Sequence, residues 1–186
     1  MAGARTTTTT TRALPANPDR ARRRATARRL VAAVWLTACS PVSARPDFRA
    51  FPQTPATVIN APPDSVITAL ATLVAAESLR VRRVSPIDGY LETDWYDLQS
   101  GRSFGGSARI PHPATTVKLR GWADPYVPGQ AVLRIEAAYR PRVDPSRPER
   151  DLEFPVADSS DGQRLALRLA TRLQKQFAPP PPARVP

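Results

Sequence analysis

Proline placement decides where this chain can be compact. There are 22 prolines in 186 residues, more than twice the ordinary share of about 5%. They gather in Pro41–Pro63, Pro141–Pro155 and Pro179–Pro186. A residue with no N–H and a fixed φ is excluded from helix interiors and from central strands. Regular structure is therefore expected between Thr57 and Phe177, roughly the size at which one hydrophobic core is self-sufficient. The expected organisation is a leader over 1–38, a Pro-rich tether over 39–56, an α+β domain over 57–178 and a Pro-rich tail over 179–186.

The net charge of +11 suggests nucleic acid until its position is considered. Residues 1–38 carry eight arginines against Asp19 alone, which leaves 19 basic and 15 acidic residues for the rest of the chain. The excess belongs mostly to the leader. No zinc-ligand spacing, Gly-rich RNA-binding signature or basic helix with interleaved aromatics accompanies it, so no nucleic-acid partner is expected.

The leader has three parts. Met1–Arg29 is cationic, with a threonine run from Thr6 to Thr11; Leu30–Ala38 is apolar; Leu36-Thr37-Ala38-Cys39 follows. The apolar run is far shorter than the roughly 20 residues that cross a bilayer. A positive segment, a short apolar segment and small residues before a cleavage point make a secretory signal. Cys39 is the only cysteine, so the exported chain would have no internal disulfide. That thiol could be a core residue, a nucleophile or a lipid-attachment point. The nucleophile reading lacks a base, because the only histidine, His112, lies in the breaker-rich "IPHPATT". Leu-Thr-Ala-Cys resembles the bacterial lipobox. The resemblance implies cleavage between Ala38 and Cys39 and a diacylglyceryl or acyl group on the Cys39 sulfur. It also implies a lipid-anchored envelope protein, with Ser40 in the second mature position permitting outer-membrane sorting toward the periplasm.

In the body, Thr57–Asn60 reads as a strand. A helix should follow from Pro63 and Asp64 to about Ser78, with Val66, Leu70, Leu73 and Val74 on one face. Pro86-Ile87-Asp88-Gly89 is a hairpin signal. After it, Leu91, Thr93 and Trp95 should share one face, and Tyr90, Glu92, Asp94 and Tyr96 the other. "QSGRSFGGSARIPHPA" reads as a loop. Two half-buried strands come next, with Val117, Leu119, Leu133, Ile135, Ala137 and Tyr139 inward, and Lys118 and Arg120 outward. Leu152–Val156 could add a short edge strand. Ser160 and Gln163 form a capping-box pattern before a helix with Leu165, Leu169, Leu173 and Phe177 on one face.

The expected order is strand, helix, three or four antiparallel strands, helix: an α+β layer in which a twisted antiparallel sheet is packed by an N-terminal and a C-terminal helix, helix-grip-like. With "APPDSVITALATLV" and "SPIDGYLETDW" as the carrying segments, the body resembles the BamC (NlpB) lipoproteins of outer-membrane β-barrel assembly. The resemblance implies a helix-grip domain and an accessory binding role. It covers one domain where that family has two, and it transfers no contact residue.

Candidate chemistry is sparse. Glu92, Asp94 and Asp97 could supply paired carboxylates, but polar-out alternation makes them solvated strand residues. His112 lacks partner ligands, so no metal is expected. Ser103 and Ser107 flank "FGG" without the spacing of a nucleophile elbow. Trp122 and Tyr126 could form an aromatic patch for a protein partner, with core or hairpin packing as the commoner use of such residues. Arg164, Arg168 and Arg172 could form a stripe facing lipid phosphates, with a solvated helix face as the commoner alternative. The expected function is that of a non-catalytic, cofactor-free envelope lipoprotein that binds an envelope protein partner. The alternatives are a small-molecule or lipid carrier with a pocket under the helices, and more weakly an envelope hydrolase using Glu92 and Asp94.

Overall fold

A computed structural model describes residues 43–105 and 115–179. Ala38, Cys39, Ser107 and His112, singled out in the sequence, lie outside them. The sheet contains β1 (Ala56–Ile59), β2 (Val81–Ser85), β3 (Tyr90–Thr93), β4 (Trp95–Asp97), β5 (Arg102–Phe104), β6 (Thr116–Pro125), β7 (Ala131–Tyr139) and β8 (Phe154–Pro155). Its main path is β1-β7-β6-β3-β2; β4 joins β6 and β5, and β8 joins β7. All the pairings are antiparallel.

Two helices, α1 (Pro63–Ala76) and α2 (Asp161–Gln176), pack against the sheet and against each other. Helix α1 has proline in its first turn and Asp64 beside the positive end of its dipole. It stops at Ala76, before Ser78 takes a left-handed φ of 63°. Helix α2 begins at Ser160, whose hydroxyl accepts the Gln163 N–H at 3.2 Å. Leu70 and Val74 of α1 and Leu165, Leu169 and Leu173 of α2 form one apolar layer with Leu91, Leu119, Leu133 and Ile135 of the sheet. Gly121 lets α1 lie this close: a Cβ there would meet the Leu70 side chain at 2.5 Å.

The helix-grip-like arrangement is not what forms. The described residues make a mostly antiparallel sheet of eight strands with two short helices side by side, rather than a small sheet wrapped on a long helix. Two local events add strands beyond those expected. The strand after the Asp-Gly turn breaks at Asp94, whose N–H bonds to the Arg80 carbonyl at 2.8 Å instead of to a strand partner. The segment read as a loop supplies β5, while β8 falls within the edge strand expected over Leu152–Val156.

The break at Asp94 also reverses the face assignment beyond it. Because side chains alternate with period two, one residue out of register moves everything after it to the other face. Trp95 therefore lies beside Lys118 and Arg140, while Tyr96 packs against the apolar layer.

Candidate functional site

The face of the sheet away from the helices was expected to meet water. It is covered instead by residues 43–55 and by the segment after β7, which includes a 3-10 turn at Glu149–Leu152. Glu92 is 8% exposed, Lys118 0%, Arg120 2%, Glu136 1% and Glu153 5%. The polar-out reading of Glu92, Lys118 and Arg120 is corrected accordingly: these residues point away from the helices into a second, ionic layer.

That layer is closely paired. Lys118 Nζ lies 3.0 Å from Glu149, 3.3 Å from Glu92 and 3.5 Å from Glu153. Arg120 donates to Glu136 at 3.1 Å and to Glu153 at 2.7 Å. Arg140 reaches Glu149 at 3.4 Å and Arg82 reaches it at 3.2 Å. Trp95 Nε1 donates to Glu149 at 2.7 Å, and Tyr90 Oη donates to Glu92 at 3.3 Å.

Burial penalises the Glu149 carboxylate, but the Lys118 charge and hydrogen bond, the Trp95 N–H and the Arg82 charge outweigh it. They hold its pKa at about 2. Burial pushes the Tyr90 phenol up, and the Glu92 charge adds to that. The Arg120 guanidinium is disfavoured by burial, yet its bond to Glu153 and the surrounding carboxylates raise its pKa above the ordinary value.

Residues 43–55 are clamped onto this layer. Ala44 N–H donates to Asp88 at 2.8 Å, and Arg45 pairs with Asp124 at 2.7 Å. Phe51 N–H donates to Glu136 at 2.8 Å, and the Arg150 guanidinium sits 4.5 Å from the Phe48 ring and 3.9 Å from the Phe51 ring. The Pro-rich composition suggested a spacer. Sequence alone gives no signal that Phe48 and Phe51 have arginine partners about a hundred residues away.

The proposed surface residues all lie within the described range. Trp122 is 2% exposed, packed between Tyr90 and Phe48, so it belongs to the interior. Tyr126 is 61% exposed in the turn between β6 and β7. The two aromatics therefore form no common patch. Arg164 and Arg172 bond to Asp161 and Glu77 respectively, and Arg168 is exposed. Ser103 accepts the Arg80 N–H at 3.0 Å.

Glu92 and Asp94 are held by different cations, Glu92 by Lys118 and Arg120, Asp94 by Arg80. Both are buried, as is Asp97, which bonds to Ser100. The expectation that these carboxylates are solvated is corrected, and their geometry is that of structural ion pairs.

A cleft of about 830 Å³ lies at the start of α2. Leu98, Val117, Tyr139 and Val156 give it apolar walls, and Asp161 and Arg164 stand at its rim. A second recess of about 530 Å³ lies between Arg45, Arg49, Trp122 and Arg134. Among the described residues no cluster of His, Cys, Asp and Glu is arranged to hold a metal, and no helix is long and apolar enough to cross a membrane. No protein-family model matches the chain, and no curated protein matches it.

Proposed function

We propose that this chain is a cell-envelope lipoprotein, acylated on Cys39, whose body works by docking to another envelope protein. The carrying observation is the early start of the folded body. Ala44, Arg45 and Phe51 are already fixed to the sheet, so a lipid on Cys39 would be joined to a rigid module through a very short link. The buried carboxylates support a binding role, because Glu92, Glu136, Glu149 and Glu153 are occupied by internal cations. The partner to test first is the outer-membrane barrel-assembly machinery, on the periplasmic side.

Two measurements test this reading. Cys39→Ser should move the protein from the membrane to the soluble fraction and abolish an acyl mass on the mature N-terminal peptide. Affinity capture of the acylated protein from detergent-solubilised envelopes should recover barrel-assembly components. An unchanged membrane fraction without an acyl mass sinks the anchor.

The 830 Å³ cleft favours a second reading, a carrier of a small apolar molecule. Native mass spectrometry that finds a bound lipid and no protein partner would put this reading first.

A further inference from the structure

A lipid on Cys39, as proposed above, would bring the bilayer near the end of the body where its first fixed residues sit. Four peptide steps separate Cys39 from Ser43, and a fully extended chain covers about 14 Å over that length. Ala44 is pinned to Asp88 in the β2–β3 turn, and Arg45 bonds to the Asp88 carbonyl and to Asp124 beside the β6–β7 turn. The chain therefore enters the body at the end of the sheet that carries these two turns.

Those turns display the most exposed large apolar side chains of that end. Ile87 is 96% exposed in the first, and Tyr126 and Val127 are 61% and 46% exposed in the second. The first turn is tied to β6. Ala123 N–H donates to the Gly89 carbonyl at 2.9 Å, and Gly89 is at φ +62° with the Ala123 carbonyl 2.2 Å from where a Cβ would be. Any other residue at Gly89 would force this turn away from β6. Arg45 joins the two turns through the Asp88 carbonyl and Asp124.

We propose that this edge is the membrane-facing surface of the anchored protein, with Ile87, Tyr126 and Val127 inserted among the lipid headgroups. The occupant is a lipid surface because the anchor places one within reach. A tyrosine beside aliphatic residues also suits the boundary between headgroups and acyl chains. The apolar tips rather than acidic lipids set the orientation in this proposal: Arg45 and Arg134 at this end share Asp124, and Arg83 donates to the Ala44 carbonyl. The opposite end, with the β4–β5 turn around Ser100 and the mouth of the 830 Å³ cleft, faces away from the membrane and toward a partner.

This inference rests on the lipoprotein reading, and its test separates the two. The mature chain from Cys39 is coupled through that single thiol to a maleimide lipid in phosphatidylcholine nanodiscs doped with a gadolinium-chelating lipid. Paramagnetic relaxation of the backbone amides is then measured. It should be strongest at Ile87, Tyr126 and Val127, fall to background at Ser100 and Gly101, and persist at high salt. The Ile87→Asp/Tyr126→Asp variant, altered only at exposed positions, should keep its amide dispersion and lose the gradient; Ile87→Asp alone should weaken it.

A gradient centred on Ser100, uniform relaxation around the body, dependence on acidic lipid, or a gradient that survives the double variant would overturn the proposal. So would a dimer of the unlipidated chain that Ile87→Asp dissociates, which would make a second copy the occupant. Acyl mass analysis of the protein from its own envelope decides the other half. If Cys39 is unmodified the proposal falls with the lipoprotein reading. If it is acylated and the gradient is absent, the orientation alone falls.

Discussion

The two faces of the sheet are closed by different physics. One is capped by α1 and α2 with aliphatic side chains, where burial contributes roughly 25 cal/mol per Å² and needs no exact partner. The other is capped by irregular chain over Glu92, Lys118, Arg120, Glu136, Arg140, Glu149 and Glu153. There each charge is tolerable only because another neutralises it. An apolar layer forgives small changes in shape, whereas an ionic layer depends on keeping its full set of members. The difference predicts which substitutions each face will accept.

The largest effect is expected from forcing the charge of one face into the other. Leu70→Asp places a carboxylate without a cation in the helix layer and should cost on the order of 5 kcal/mol. Leu169→Asp should act alike. Urea denaturation that leaves the midpoint of either variant unchanged would show the helix layer to be misassigned.

Removing one member of the ionic layer comes next. Arg120→Met leaves Glu136 and Glu153 without their nearest buried cation and should lower stability by about 3–5 kcal/mol. Adding Glu153→Leu should recover part of that loss, because it removes one of the carboxylates left without that cation. If the double variant is no better than Arg120→Met, pairing is not what holds this face.

Acid should affect the two faces unequally. The Glu149 carboxyl ionises at about 2 in the folded chain, against an ordinary value of 4.5. Its folded pKa is depressed, so its stabilisation is complete above about pH 4.5 and drains away as pH falls toward 2. The loss should be about 3 kcal/mol. In Glu149→Gln the slope of stability over that window should flatten. A slope identical to that of the parent chain would remove Glu149 from the ionic layer.

Smaller effects are expected at the margins. Phe51→Ala removes the ring under Arg150 and should cost about 1–2 kcal/mol. Faster proteolysis in residues 43–55 should accompany it. Arg168→Ala, on the exposed side of α2, should change stability by no more than about 0.5 kcal/mol.

The helical stripes were legible because 3.6-residue periodicity survives any context. Val66, Leu70, Leu165 and Leu169 are buried where their spacing puts them. The Asp-Gly turn was legible for a similar reason, since only a few residues accept its backbone. The ionic layer was not. Alternation along β6 marks Lys118 and Arg120 as facing away from the helices, and nothing local distinguishes water on that side from Glu149 and Glu153 arriving some thirty residues later. Trp122 shows the same limit: its place on the strand leaves a partner patch and core packing both open, and only the arrival of Phe48 decides for the interior.

Sequence by itself determined the local matters: which segments are amphipathic, where the turns fall, and which four residues frame the only cysteine. These depend on propensity and spacing within about twenty residues. Tertiary structure alone decided that the described residues make eight strands, that one missed pairing at Asp94 turns Trp95 to the opposite face, and that a Pro-rich segment closes an ionic layer. Each of those outcomes is set by partners distant in the chain, whose combined hydrogen bonds and charges override what any single segment prefers.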